Sequence, residues 1–229
     1  MSITQALPRA PGGNFDPYRV GRSSGGGGGG RYDATGHGEG GPASKDVIVG
    51  YGFWIFILSD IIMFSAFFAA HAVLQTATAG GPSGHDLFRP SSIAIETACL
   101  LVSSFTCGLS AVAARVRSQV WTQIWLLATG LLGLAFVLLE SRDFAGMVAA
   151  GAGPQRSAFL SSFFAVVGLH GLHVSAGLLW LGTMMAQLLA KGFRPNVQRR
   201  LLCFNLFWHA LDIIWVALFT IVYLIGEGR

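Results

Sequence analysis

The sequence predicts an all-α, polytopic membrane protein: a bundle of five transmembrane helices with the N-terminus inside and the C-terminus outside. Three observations carry that prediction. Hydrophobic residues make up 52% of the 229 and charged residues only 11%, a balance that gives a water-soluble domain of this size too little polar surface. The charges collect in an N-terminal tail and in short gaps between apolar runs. The apolar runs number five, each long enough for the roughly 20 helical residues that cross a bilayer.

Residues 1–46 combine Pro, Gly, Ser and mixed charges, with six consecutive glycines from Gly25 to Gly30. So few apolar side chains cannot bury a core, and the segment is expected to be a disordered, Gly-rich cytoplasmic tail. It is not expected to be a cleavable signal peptide, because no apolar stretch of suitable length follows its basic residues. Nor is the glycine run a phosphate loop, since no Gly-Lys-Ser/Thr and no preceding strand accompany it.

The membrane domain is expected over 47–229, with helices at 47–75, 91–114, 120–141, 158–190 and 201–226. Strand-like alternation is absent, and in hydrocarbon a helix satisfies every backbone N–H and C=O within its own segment. Gly80-Gly81-Pro82-Ser83-Gly84, Ala149-Ala150-Gly151-Ala152-Gly153-Pro154 and Lys191-Gly192-Phe193-Arg194-Pro195 supply turn chemistry between runs. An odd helix number puts the two ends on opposite faces. Arg9, Arg19, Arg22, Arg31, Lys45, Arg115, Arg117, Lys191, Arg194, Arg199 and Arg200 then share the N-terminal side, against Arg89, Arg142, Arg156 and Arg229 on the other. The excess of basic residues marks the N-terminal side as cytoplasmic. The same excess explains the formal charge of +4 without a nucleic-acid partner, which would need a basic face. Cys99, Cys107 and Cys203 lie in apolar runs, form no Cys-x-x-Cys and read as small buried hydrophobes, with no metal site and no disulfide framework.

Ionisable side chains at membrane depth are costly unless they face the bundle and pair, so each is a candidate. Asp60 falls near the middle of the first helix, either as a structural hydrogen-bonded carboxyl or as a functional acid. His170 and His173 stand three residues apart in the fourth helix, beside Gly168, Gly171 and Gly177. A pair so placed cannot furnish both axial ligands of one haem, and the neighbouring glycines point to close helix packing with interhelical hydrogen bonds. His209 and Asp212 share a face of the fifth helix. Because the fourth and fifth helices are joined by a short loop and pack as neighbours, a His173–Asp212 contact is expected. Glu96 and Glu140 lie near the outer ends of the second and third helices. They read either as solvated or salt-bridged helix ends or as inward-facing carboxyls that pair with His170. No nucleophile with an adjacent base and no phosphate cradle is present, so the chain is not expected to be catalytic alone.

Gly52-Phe53-Trp54-Ile55-Phe56-Ile57-Leu58-Ser59-Asp60, the stretch Phe163 to Val174 with its His-Gly-Leu-His-Val, and Trp208-His209-Ala210-Leu211-Asp212-Ile213-Ile214-Trp215 together resemble subunit III of the haem–copper terminal oxidases. The likeness extends through Glu96-Thr97 and Arg156-Ser157-Ala158-Phe159-Leu160 and spans about residues 48–226. It implies a subunit without cofactors of its own, packed beside a subunit I that carries haem and copper, with a subunit II, a small subunit IV and bound phospholipid as companions in a bacterial inner membrane. Stabilisation of subunit I, lipid binding and support of oxygen access or proton supply are the implied roles. Asp60 stands where the cytochrome c oxidase branch has a carbodiimide-reactive glutamate. The larger family form has seven helices, of which this chain resembles the last five. Five helices, Ser59-Asp60 and the Arg156–Leu160 stretch are most similar to the quinol oxidase branch of cytochrome bo type, although five-helix forms also occur among bacterial cytochrome c oxidases. Two readings from other classes stand beside this one: a haem b electron carrier using His170 or His173 with His209, and a proton-coupled transporter using Asp60 and Asp212.

Overall fold

The computed structural model describes residues 45–80 and 90–224, and the greater part of the predicted tail, residues 1–44, lies outside them. The described residues form α1 (Lys45–Leu74), α2 (Pro90–Arg115), α3 (Gln119–Ala149), α4 (Ala158–Lys191) and α5 (Pro195–Leu218), with a π-helical turn at Phe219–Leu224 closing α5. All five helices are long and apolar enough to cross a membrane, and no strand occurs among the described residues.

The helix ends follow from local chemistry. Ser157 precedes α4 in an extended conformation, and its hydroxyl accepts the Leu160 N–H at 3.2 Å, which satisfies one of the amides left free at a helix start. At the other end Gly192 takes φ 62° and returns its N–H to the Leu188 carbonyl, a left-handed conformation that suits a residue without a Cβ. The Gln119 and Gln123 amides of α3 donate to the Leu188 and Met185 carbonyls of α4, at 3.1 and 2.9 Å. Pro195 opens α5, where its fixed φ suits the first turn and its missing N–H removes nothing.

Two boundaries differ from those expected. α5 starts at Pro195 rather than 201, because its first two turns carry the polar side chains Asn196, Arg199 and Arg200. α3 runs to Ala149 rather than stopping at 141, about two turns further. The charges in Glu140-Ser141-Arg142-Asp143 do not interrupt it, since none of these residues breaks a helix.

The helices run alternately up and down. The side-chain bonds from Gln119 and Gln123 join the start of α3 to the end of α4, and Ser92 to Asp143 at 2.7 Å joins the start of α2 to the end of α3. The α2–α3 hairpin is the most closely paired unit, α4 packs on α1, α3 and α5, and α5 packs on α1, α2 and α4. The core therefore centres on α4 and α5. Along α4 the buried positions 160, 163, 167, 170, 174, 177, 181, 184 and 188 recur at alternating steps of three and four, the seam of a helix enclosed by neighbours. By contrast α1 fully buries only Ile57, Phe64 and His71, spaced by seven, packs Phe53, Ile61, Met63 and Phe68 partly against the core, and leaves much of its remaining apolar surface exposed, as lipid permits.

Candidate functional site

The intramembrane polar residues distribute among several helix contacts instead of converging on one centre. His170 is fully buried on the α4 seam. Its ring lies 5.2 Å from Trp215, 5.7 Å from Phe136 and 6.4 Å from Phe64, and its Nε2 is 3.2 Å from the Leu211 carbonyl. A carbonyl only accepts, so Nε2 carries the hydrogen and ties α4 to α5. Nδ1 is buried without a partner.

His173, three residues on, turns to the α1 side of the helix. It faces Phe64 at 5.3 Å, and its Nδ1 donates to the Leu169 carbonyl of its own helix at 2.8 Å. The expected His173–Asp212 contact is thus not formed. His209 instead meets the Ser104 hydroxyl of α2 at 2.7 Å, and the Asp212 carboxyl lies beside the same Ser104 and His209. The reason is rotational. The His209–Asp212 face of α5 turns towards α2, whereas the side facing α4 carries Leu211 with its carbonyl.

Asp60 lies halfway along α1, half-buried. It joins none of the three histidines, whose partners are Leu211, Leu169 and Ser104.

Glu96 and Glu140 are 3% and 6% exposed, so they are not solvated helix ends. The two added turns of α3 place Glu140 inside the bundle. Both carboxyls lie within the bundle, and neither is hydrogen-bonded to His170, whose Nε2 is held by the Leu211 carbonyl and whose Nδ1 has no partner. Glu140 lies against Gly171, where an added Cβ would come within 2.8 Å of its Oε2. Of the glycines read as packing sites, Gly171 and Gly177 make close approaches, the latter with 3.0 Å to the Trp208 ring, while Gly168 has only ordinary contact with Phe144 at 3.6 Å.

A hydroxyl-lined seam on α2 escaped the sequence reading. The Trp208 indole donates to Ser103 at 3.1 Å, and Ser103 donates to the Thr129 carbonyl of α3 at 3.0 Å. Thr106 pairs with Thr129 at 2.9 Å, the Cys107 thiol donates to Asn205 at 3.2 Å, and the Trp215 indole donates to Thr97 at 3.1 Å. Both tryptophans of the Trp-His-x-Leu-Asp-x-x-Trp motif therefore anchor α5 to α2. The signal was the run of Ser, Thr and Cys on α2, small polar residues of the kind that join helices in lipid. His71 was also missed. It is 1% exposed, shares a 2.9 Å hydrogen bond with Ser162 of α4 and packs on Phe159; the seven-residue spacing from Phe64 is the pattern that points to it.

At the end of the bundle where α1 and α5 begin, Val49, Phe53, Trp180, Asn196, Arg199, Arg200 and Cys203 line a groove of about 350 Å3. Arg199 pairs with Asp46 at 3.2 Å and also bonds Asn196, while Arg200 donates to Gln187 at 2.7 Å. Cationic groups thus sit over an aromatic and aliphatic floor.

Three imidazoles directed to separate helix contacts do not frame a common haem, and among the described residues no three His, Cys, Asp or Glu side chains converge to hold a metal ion. What the fold and these contacts define is a multi-pass helical membrane protein whose buried polar groups join helix to helix.

Comparison with known proteins agrees with that class. Residues 32–227 match the family described as cytochrome c oxidase subunit III, and the chain belongs to this family. It is 49% identical over 176 residues to the cytochrome bo(3) ubiquinol oxidase subunit 3 of Pseudomonas aeruginosa, covering 77% of this chain and 84% of that one. The protein of the same description from Buchnera aphidicola subsp. Baizongia pistaciae is 43% identical over 183 residues, with 80% and 93% covered. The quinol oxidase subunit 3 of Bacillus spizizenii is 42% identical over 177 residues, with 77% and 87% covered.

Proposed function

We propose that this chain is the cofactor-free third subunit of a proton-pumping quinol oxidase of the haem–copper class, with its N-terminal tail in the cytoplasm of a bacterium and its helices in the inner membrane. The observation that carries the reading is the 49% identity to a ubiquinol oxidase subunit 3 over most of both chains. Subunit I supplies haem and copper for oxygen reduction, and subunits II and IV complete the assembly. This chain's own contribution is mechanical. Its α2–α3–α4–α5 core, locked by the Trp208, Trp215 and His170 hydrogen bonds, presents a stiff apolar wall to subunit I.

The groove at Arg199 and Arg200 suits one phospholipid. A phosphate would meet the two guanidinium groups, and acyl carbons would lie on Phe53 and Trp180. Bound there, lipid would fill the gap between α1 and α5 and stiffen the side of the bundle that is otherwise least covered.

The purified native complex should consume oxygen with a reduced quinol as donor and not with reduced cytochrome c. The opposite donor preference would move the chain to the cytochrome c oxidase branch, the second reading.

A further inference from the structure

Glu96 on α2 and Glu140 on α3 are almost wholly enclosed and stand about one turn inside the Ser92–Asp143 hydrogen bond, whose antiparallel register sets the two residues side by side in the α2–α3 hairpin. Asp143, one turn beyond Glu140, is half-buried at the mouth of the same group, where the Ser92 hydroxyl donates to it. The π-helical turn after α5 carries Tyr223, 7% exposed and packed on Phe163 and Trp215, at the same end of the bundle. Interruptions of this kind in a helix tend to occur where a side chain must be re-aimed.

The groups around the pair can be enumerated by element. Glu96 comes from α2, Glu140 and Asp143 from α3 and Tyr223 from the π turn; α4 contributes Gly171 against Glu140 Oε2, and His170 beside it in sequence bonds Leu211 through Nε2 and leaves Nδ1 without a partner. Among the described residues the one salt bridge is Arg199–Asp46, at the opposite end of the bundle. Among the described residues no cation therefore balances the carboxyls, and no three ligating side chains converge to hold a metal ion. One oxygen of each glutamate, Glu96 Oε1 and Glu140 Oε1, is buried with no hydrogen-bond partner.

Two ionised carboxyls offer acceptors and no donor. Enclosed together in a low-dielectric interior without a counter-charge, they are the least stable arrangement open to the pair. A single added proton halves the charge and creates the missing donor. We propose that Glu96 and Glu140 form an internal proton-holding site, one proton shared by two carboxyl groups, which exchanges with water through Asp143 and Ser92 at the end of the bundle where α2 begins. This assignment concerns the chain's own residues and does not depend on which electron donor the complex uses.

Infrared spectroscopy of the intact purified complex at neutral pH tests it. The complex should show a protonated-carboxyl stretch that shifts on transfer to D2O. Glu96→Gln and Glu140→Gln, prepared separately, place an amide donor where the shared proton stood, so each variant should assemble, and the band should be lost. Loss of the band in either assembled variant supports the site. Absence of an exchangeable band in the wild-type complex overturns it. So does full intensity in every variant that assembles, and so does failure of both variants to assemble, because an amide that mimics the protonated acid should then have been tolerated.

Discussion

Trp208 shows how one side chain can hold a membrane bundle together. Its ring occupies space left by two glycines on facing helices, Gly133 on α3 and Gly177 on α4, and its indole N–H ends on Ser103 of α2. A Cβ built at Gly133 would lie 2.8 Å from two ring carbons of the buried Trp208 and 3.3 Å from the Leu178 side chain, and the enclosed indole has little room to retreat. Gly133→Ala is therefore expected to cost about 1–3 kcal/mol of stability, the usual penalty of overpacking, visible as a lower thermal midpoint or lower yield of the assembled complex. Gly108→Ala, where nothing lies within 4 Å, should leave both unchanged. Equal effects of the two substitutions would show that Trp208 does not set the helix spacing. His170 and His173 make the same point about direction. Three residues of helix rotate a side chain by about 60°, enough to send one imidazole to α5 and the other to α1.

At the scale of elements, the ends of α4 and α5 are specified by different forces. The start of α4 depends on a directed hydrogen bond from Leu160 N–H to the Ser157 hydroxyl. Ser157→Ala should thus destabilise the protein by about 1 kcal/mol, the typical worth of such a cap. The start of α5 carries the Arg199–Asp46 ion pair, in which the Asp46 side chain is 69% exposed. An exposed pair contributes about 0–1 kcal/mol, so Asp46→Asn should move the thermal midpoint less than Ser157→Ala does, and a reversed order would contradict this ranking. The polar seam between α2 and α5 belongs to this scale too. Each of its bonds is modest in lipid, averaging about 0.6 kcal/mol in comparable bundles, yet Thr97, Ser103, Ser104 and Cys107 repeat along one helix and so fix the register of α5 against it.

For the whole molecule, the alternating order of five helices puts the start of α1 and the end of α5 at opposite ends of the bundle. The weight of Lys and Arg supports the proposed orientation, with the N-terminal face in the cytoplasm. Cysteines introduced one at a time, near the N-terminus and near Arg229, should be reached by a membrane-impermeant thiol reagent from opposite sides in intact cells, the C-terminal one from outside. Labelling of both from one side would remove the five-span topology. The bundle is also uneven. α4 and α5 each pack against three other helices, while α1 is bordered by them on one side only, so the half-buried Asp60 occupies the least covered helix. The location of the Glu96–Glu140 pair at the end away from the Arg199 groove separates the two buried or grooved polar regions by most of the bundle's length.

Composition and hydropathy alone determined the number of helices and their rough limits, because crossing hydrocarbon demands runs of apolar residues that are visible without any knowledge of neighbours. The same holds for the family, since the His-Gly-Leu-His-Val and Trp-His-Ala-Leu-Asp-Ile-Ile-Trp stretches are local strings. Residues such as Asp60, Glu96, His170 and Asp212 were legible as costly groups in lipid, but their partners were not. Which side of a helix faces which neighbour depends on how far each helix is rotated about its axis, and that rotation is settled by packing across the bundle. Hence Asp212 lies beside Ser104 and not His173. Hence also Glu140, which a charged run seemed to place at a helix end, is enclosed by two further turns of α3 and set against Gly171. The chain's order of residues carries the cost of each buried polar group, and only the packed helices supply the group that offsets it.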